Sequence, residues 1–211
     1  MILTAWVQHT CMQALQIFTG RFQMRNSRRI PVVTLILLGL NTLGLLYEFI
    51  VGQNRAIYAY GMYEGALQHG AYLRMIVSAF LHFGFYHFAS NMICLVIYGF
   101  SLENQIGSVK YAVIYAAGIL GSALLINFSG GYGIHAGASG AIWGLMTATL
   151  VFSIKNNLNP SYALRGIIIN LIYSFSAGVS WQGHIGGGIA GLAAALILFQ
   201  GGRLNGWRIE R

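Results

Sequence analysis

Three groups of polar residues in this apolar sequence have the types needed for acyl-transfer chemistry. Ser139 lies in the motif Gly-Ala-Ser-Gly, just after a glycine-rich loop, and His184 precedes a run of glycines later in the chain. His87 and Asn91 are four residues apart, so they share one face if their segment is helical. A serine hydroxyl becomes a useful nucleophile when a neighbouring base takes its proton, and His184 is the candidate base.

Attack by Ser139 on an amide would also generate an oxyanion that needs preorganised donors. The candidates are the Ser139 backbone N–H and the side chains of His87 and Asn91. Because the chain has no aspartate, the acid that usually orients the histidine is missing, and the sequence predicts a Ser/His dyad. Each group also has a structural explanation, since small residues pack helices and a histidine at a helix end is often a satisfied interfacial residue.

The composition is that of a membrane protein. Only 12 Lys and Arg residues and 4 acidic residues, all of them glutamate, occur among 211, and 56% of the chain is hydrophobic. A soluble domain usually carries a charged share of about a quarter. The net charge of +8 comes from cations dispersed between apolar runs, without the clustered stripe of a nucleic-acid-binding protein. We therefore expect a polytopic membrane protein that binds no nucleic acid.

The remaining ionisable residues exclude two other ways of hydrolysing an amide. An aspartyl enzyme needs two aspartates, and a zinc enzyme of the usual type needs the motif His-Glu-x-x-His, whereas no histidine here is followed by glutamate. The two cysteines, Cys11 and Cys94, make neither a disulfide framework nor a zinc ligand set. We expect serine chemistry with no metal and no cofactor.

Six apolar stretches have lengths that suit a membrane bundle. They are Pro31 to Val51, His82 to Leu102, Val109 to Phe128, Gly137 to Ile154, Gly166 to Val179 and His184 to Phe199. Ten of the 12 cations fall on one side of these spans, which by the positive-inside rule predicts cytoplasmic termini. The expected location is the plasma membrane of a prokaryote.

The chain divides into three parts on this interpretation. Residues 1–29 are basic and carry an apolar stripe at helical spacing, so we expect a helix in the membrane interface. Residues 30–200 form the membrane core, and residues 201–211 form a short basic tail.

The predicted topology brings the polar groups to one level. The second, fourth and sixth spans run from outside to inside, so their polar starts lie at similar depth. Glycines four residues apart in the fourth and sixth spans permit the close backbone approach that contact between Ser139 and His184 requires. These glycines are Gly140, Gly144, Gly187 and Gly191.

In these features the chain resembles the rhomboid family of intramembrane serine proteases from Pro31 to Phe199. The matching features are His82, His87 and Asn91 at separations of five and four, Gly137 to Gly140 around Ser139, and His184 with Gly187 and Gly191 behind it. The resemblance implies an all-α, six-helix bundle in which Ser139 is the nucleophile and His184 the base. It implies that His87 and Asn91 help to form the oxyanion hole, that His82 is a structural residue, and that the partners are single-span membrane proteins.

The chain departs from the family pattern at three positions. Arg74 matches the arginine of the family's Trp-Arg pair, but Leu73 replaces the tryptophan. Ser180 stands where many relatives have aspartate, and Trp143 stands where relatives often carry a smaller aromatic residue that stacks on the histidine. These departures bear on substrate preference and rate more than on the type of reaction.

Two other functions are compatible with a membrane bundle. A proteolytically silent relative would bind and escort membrane proteins, but such proteins typically lose the serine or the histidine, and this chain keeps both. A transporter would normally need an intramembrane ionisable residue for ion coupling, whereas Glu48 and Glu103 lie towards span ends. The sequence therefore favours hydrolysis of peptide bonds in or near transmembrane helices of other membrane proteins.

Overall fold

The computed structural model describes residues 30–129, 133–175 and 179–200, apart from the side chain of residue 173. The α-helices of these ranges are α1 Val32–Val51, α2 Gln53–Tyr60, α3 Arg74–Val77, α4 Phe85–Ile106, α5 Ser108–Phe128, α6 Ser139–Lys155, α7 Ser161–Ser174 and α8 Trp181–Leu198. A short 3-10 helix, Ser78–Phe80, and two strands, β1 Met62–Tyr63 and β2 Ile134–His135, lie between them. The predicted interfacial helix in residues 1–29 and the tail of residues 201–211 lie outside the described residues.

Within the described ranges, four helices are long and apolar enough to cross a membrane, namely α1, α4, α5 and α8. The helices α6 and α7 are shorter but also apolar. Each of these helices falls on one of the six predicted apolar stretches. The all-α fold class is therefore confirmed for the described part of the chain.

Two helices near the polar residues start later than the apolar pattern predicts. α4 begins at Phe85, so His82 precedes the helix, because Gly84 has a φ of 87° that ends the preceding turn. α6 begins at Ser139 and not at Gly137, whose φ is 136°. Both glycines interrupt a run that hydropathy alone treats as continuous.

The last helix starts earlier than predicted. α8 begins at Trp181, three residues before His184, because the Ser180 hydroxyl accepts a hydrogen bond from the Gly183 N–H at 3.2 Å. A serine in this position is a favoured helix N-cap. His184 therefore lies inside the first turns of the helix and not at its opening.

The fifth apolar helix is displaced from its predicted span. α7 begins five residues before Gly166 and ends at Ser174 rather than at Val179. Its start is fixed by the Asn159 side chain, which accepts the Ser161 N–H at 2.9 Å. A count of apolar residues misses this start because it excludes Arg165, which the helix includes.

A buried carboxylate joins three of the long helices. Glu103 in α4 accepts hydrogen bonds from the backbone N–H groups of Val33 at 2.9 Å and Thr34 at 2.8 Å. The hydroxyls of Thr34 and Ser108 donate to the same carboxylate at 2.7 Å each. These N–H groups are among the four that a helix start leaves without an internal acceptor, and negative charge suits that end of the helix. Glu103 therefore caps α1 from a neighbouring helix.

The segment between α1 and α4 folds against the loop that precedes α6. The strands β1 and β2 pair in antiparallel fashion, Met62 with His135 and Tyr63 with Ile134. Asn127 at the end of α5 holds the same segment, since its side chain accepts the Leu67 N–H at 2.9 Å and donates to Gln68 at 3.0 Å. The loop that leads into Ser139 is thereby fixed by contacts with the segment between α1 and α4.

The cap on α1 predicts a selective loss of stability. Replacing Glu103→Ala should lower the free energy of unfolding by about 1 to 3 kcal/mol, because buried backbone donors lose their acceptor. Unfolding in detergent, followed by circular dichroism, measures the change. Glu64→Ala is the matched control, because Glu64 is exposed, and equal stability of the two variants would contradict the role given to Glu103.

Candidate active site

Ser139 lies at the N-terminal end of α6, where the chain turns sharply into the helix. The N–H of Gly137 donates to the Ser78 carbonyl oxygen at 2.9 Å, which fixes the loop against the 3-10 helix. As the first residue of the helix, Ser139 has an N–H with no intrahelical acceptor. The positive end of the helix dipole adds to this donor, so the position suits a developing negative charge.

His87 and Asn91 face this turn from the first turns of α4. A Cβ atom added to Gly137 would lie 2.8 Å from Cε1 and 3.1 Å from Nε2 of His87, and 3.8 Å from Nδ2 of Asn91. Only a residue without a side chain leaves both groups room at this point. The structure therefore brings His87 and Asn91 to the residue that stands two positions before Ser139.

The hydrogen bonds of these two side chains determine which protons remain available. Nδ1 of His87 accepts the Phe83 N–H at 3.3 Å, so the neutral ring carries its proton on Nε2, the nitrogen nearer Gly137. The amide of Asn91 donates one hydrogen to the His87 carbonyl oxygen at 2.9 Å and keeps a second. Both side chains thus present a donor on the side of Gly137.

His184 is buried in α8 and held on two sides. Its ring stacks on the indole of Trp143, with ring centroids 5.5 Å apart and an interplanar angle of 21°. Its Nδ1 lies 2.6 Å from the hydroxyl oxygen of Ser174, the last residue of α7. Since Trp143 follows Ser139 by four residues, both lie on one face of α6, the face that His184 contacts. The expected stacking of an aromatic residue at position 143 on His184 is present.

The helices α6 and α8 approach each other through glycines. A Cβ atom on Gly187 would overlap the carbonyl oxygen of Gly140, and one on Gly191 would overlap Cα of Gly144. Gly140 directly follows Ser139, and Gly187 follows His184 by three residues. This α6–α8 glycine contact sets Ser139 and His184 at the same level of the bundle.

In the described ranges, no hydrogen bond joins the Ser139 hydroxyl to His184. Catalytic hydrogen bonds are often long without substrate and tighten when it binds. A cavity of about 30 Å³ adjoins the serine, with a lining that is partly apolar and that includes the side chains of Ser139, His135, Ser78, Ser122 and Ser180. This volume is sufficient for a water molecule, the second reactant of a hydrolysis.

His82 lies in the segment just before α4 and contacts His87. Its ring is fully buried and meets the His87 ring edge-on, with centroids 5.3 Å apart. Its backbone N–H donates to the Glu48 carboxylate at 2.5 Å. The His82 ring therefore packs against the His87 side chain at the start of α4.

Arg74 lies farther away, in the segment between α1 and α4. Its guanidinium donates to the carbonyl oxygens of Gly61 at 2.7 Å and Tyr58 at 3.0 Å. The same group lies 5.0 Å from the centroid of the Tyr63 ring. Arg74 therefore orders the loop that carries β1, and its link to Ser139 runs through the pairing of β1 with β2.

Two residues at the site escape the sequence reasoning. His135, which no sequence motif singled out, is half-buried beside Ser139, and burial lowers the pKa of its imidazole. Ser174, which makes the contact with His184, falls in a stretch judged only by its hydropathy. A hydroxyl at the end of an apolar helix was the available signal, since polar groups inside a membrane are costly.

Comparisons with known proteins identify relatives along most of the chain. A family model described as the rhomboid domain matches residues 69–201. The rhomboid protease GluP of Bacillus subtilis is 34% identical over 179 residues, which cover 80% of this chain and 35% of that protein. RHOMBOID-like protein 5 of Arabidopsis thaliana is 33% identical over 141 residues, which cover 63% of this chain and 46% of that protein.

A third relative is the rhomboid-type serine protease 2 of Emericella nidulans, 29% identical over 137 residues, or 61% of this chain and 27% of that protein. The chain thus spans less than half the length of each of these three relatives.

The α6–α8 glycine contact predicts that one methyl group is damaging. Gly187→Ala should lower the free energy of unfolding by about 1 to 3 kcal/mol, because overpacking forces the two backbones apart. Thermal unfolding in detergent measures the loss. Gly39→Ala in α1 is the matched control, since a Cβ there has no atom within 4 Å. An equal change of the unfolding temperature in both variants would contradict the proposal that Gly187 is needed for the close approach of α6 and α8.

Proposed function

The chain belongs to the rhomboid family, and on that basis we propose that it is an intramembrane serine endopeptidase, cleaving peptide bonds in or near transmembrane helices of other membrane proteins. Two of its relatives are named as proteases. The observation that carries the proposal is the position of Ser139 at the start of α6, on the helix face against which the His184 ring is stacked.

The proposed reaction begins when Ser139 attacks the carbonyl carbon of the substrate amide. His184 accepts the hydroxyl proton at Nε2 and then donates it to the nitrogen of the leaving amine, which departs as the C–N bond breaks. The acyl group remains on Ser139. His184 next takes a proton from water as the water oxygen attacks the acyl carbon. The ester C–O bond then breaks, His184 returns the proton to the Ser139 oxygen, and the acid is released.

The oxyanion of each tetrahedral intermediate would be stabilised by three groups. They are the backbone N–H of Ser139, the Nε2–H of His87 and the free amide hydrogen of Asn91. Support comes from the His87 tautomer, which the Phe83 contact favours, and from the position of both side chains beside Gly137. Donors already in place contribute most in a site of low dielectric constant.

Residues 30–200 would form a membrane core of six spanning helices, with α6 and α7 as the short members. At 1.5 Å per residue, the 17 residues of α6 extend about 25 Å, less than the hydrocarbon thickness of about 30 Å. One end of α6 must therefore lie below the membrane surface. We assign the Ser139 end to that depth, on the extracytoplasmic side, with both termini in the cytoplasm of a prokaryotic cell.

The proposed substrates are single-span membrane proteins, which can diffuse to the site in the plane of the bilayer. Hydrolysis by a serine and a histidine needs no cofactor and no metal. The alternative function is that of a proteolytically inactive rhomboid relative that binds and escorts membrane proteins. Retention of both Ser139 and His184 favours the enzyme.

Labelling with a fluorophosphonate probe tests the nucleophile. The detergent-purified protein should form an adduct at Ser139, located by mass spectrometry, because His184 activates only that hydroxyl. Labelling should survive metal chelation and disappear in Ser139→Ala. A folded protein that gave no adduct would instead support the silent relative, and unchanged labelling of Ser139→Ala would refute the assignment of the nucleophile.

Two further substitutions separate the roles of base and oxyanion donor. His184→Ala should remove nearly all cleavage of a model transmembrane substrate, because the serine loses its base. Asn91→Ala should reduce turnover by about a hundred- to a thousandfold and leave a measurable remainder. Single-turnover assays and thermal unfolding in the same detergent report activity and folding together. Equal inactivity of two equally stable variants would contradict this division.

A further inference from the structure

The hydroxyl of Ser174 contacts the nitrogen of His184 that the reaction does not use. We propose that Ser174 is a positioning residue, which holds His184 in the tautomer with Nδ1 protonated and thereby leaves Nε2 free to accept the Ser139 proton. The inference rests on the proposed protease function for its catalytic consequence. Its structural content, the tautomer of one buried histidine, stands independently of any cleavage.

The number of protons that each group can donate determines the direction of both hydrogen bonds of Ser174. The Ser174 oxygen lies 2.7 Å from the carbonyl oxygen of Asn170 and 2.6 Å from Nδ1 of His184. A carbonyl oxygen only accepts, and a serine hydroxyl has only one proton, so that proton goes to Asn170. The contact with His184 is then a hydrogen bond in which Nδ1–H donates to the serine oxygen. A neutral imidazole that donates at Nδ1 is unprotonated at Nε2.

The surroundings of Ser174 make this arrangement rigid. Its side chain is buried, with only 1% of the residue exposed. Asn170 is itself held, since its amide donates to the Gly166 carbonyl oxygen at 2.9 Å. A buried hydroxyl with both its partners occupied has no alternative orientation that keeps both bonds. The acceptor offered to His184 is therefore fixed.

Ser174 and Trp143 restrain different motions of the same ring. Stacking on the indole sets the plane of the imidazole, and the hydrogen bond at Nδ1 sets its rotation within that plane. With Nδ1 directed at Ser174, the Nε2 edge points away from the end of α7. This is the role that an aspartate has in a Ser-His-Asp triad, filled here by a neutral group.

The position of Ser174 also favours the protonated state of His184 that forms during the reaction. Ser174 is the last residue of α7, and the C-terminal end of a helix carries partial negative charge. An imidazolium still donates at Nδ1, so the same hydrogen bond persists after His184 takes the serine proton. The chain from imidazole through hydroxyl to carbonyl polarises each member and strengthens the whole.

The direct test is nitrogen NMR of protein labelled with ¹⁵N-histidine in detergent micelles at a pH at which His184 is neutral. The His184 signals are assigned by their absence in His184→Ala. The wild-type protein should show a protonated Nδ1 and an unprotonated Nε2, and Ser174→Ala should shift both signals towards the other tautomer. A wild-type ring protonated at Nε2, or signals that do not move in Ser174→Ala, would overturn the proposal.

Cleavage assays measure the catalytic consequence. Ser174→Ala should lower kcat by about ten- to a hundredfold with little change in KM, because a misplaced base impairs the chemical step and Ser174 does not contact substrate. Ser174→Thr keeps a hydroxyl and should recover most of the activity. An Ala variant with wild-type kcat would contradict the positioning role.

Ser153→Ala provides the matched control, because Ser153 is also a buried serine in an apolar helix and lies at the opposite end of α6. It should leave kcat and the His184 signals unchanged, and an equal loss of kcat in this variant would attribute the effect to loosened packing. The tautomer is read without turnover. If the protein failed to label at Ser139 but showed the expected tautomer, the proposed protease function would be refuted while the proposed Ser174–His184 hydrogen bond would stand.

Discussion

The close contact of two helix backbones is the constraint on which the site depends. Lipid is as apolar as leucine, so helices in a membrane gain little from burying apolar side chains against each other and rely on close packing instead. In α6 and α8 the packing is as close as backbones allow, at Gly140 with Gly187 and at Gly144 with Gly191. Because the backbones are this close, the side chains at the starts of the two helices also lie near each other. Ser139 and His184, 45 residues apart in sequence, are thereby set at the same level of the bundle.

The second requirement is that polar groups in an apolar bundle have partners. Glu103 accepts hydrogen bonds from the start of α1, and Glu48 accepts the backbone N–H of His82. Asn127 likewise bonds to the loop that carries β1. An unpaired polar group costs several kcal/mol away from water, on the order of a whole hydrogen bond or more. These contacts therefore fix helix ends, and helix ends are where the residues of the candidate site lie.

Much of this arrangement could be predicted from sequence, since apolar length indicates spans and the polar exceptions within them indicate a site. The predicted starts of the helices failed where local chemistry decided them. Gly84 and Gly137 adopt positive φ, and Ser180 caps α8, none of which changes a hydropathy average. The partners of His184 were predicted unequally. Trp143 was expected from the resemblance, because relatives often carry an aromatic residue there that stacks on the histidine. Ser174 depends on where α7 ends and how it packs, which no spacing rule gives.

Among the described residues His184 has no acidic partner, and on the proposed mechanism this has a physical advantage and a cost. A carboxylate buried in this bundle would need several donors to offset its desolvation, whereas a hydroxyl bonded to the Asn170 carbonyl orients the ring without charge. The cost is that a neutral acceptor stabilises the imidazolium less than an aspartate would. Two features offset part of it, the negative end of α7 and the face of the Trp143 indole, which attracts a cation. The rest of the stabilisation that an aspartate would supply must come from the oxyanion donors. The Ser139 N–H, His87 and Asn91 therefore contribute a larger share of transition-state stabilisation here than in a site with a buried acid.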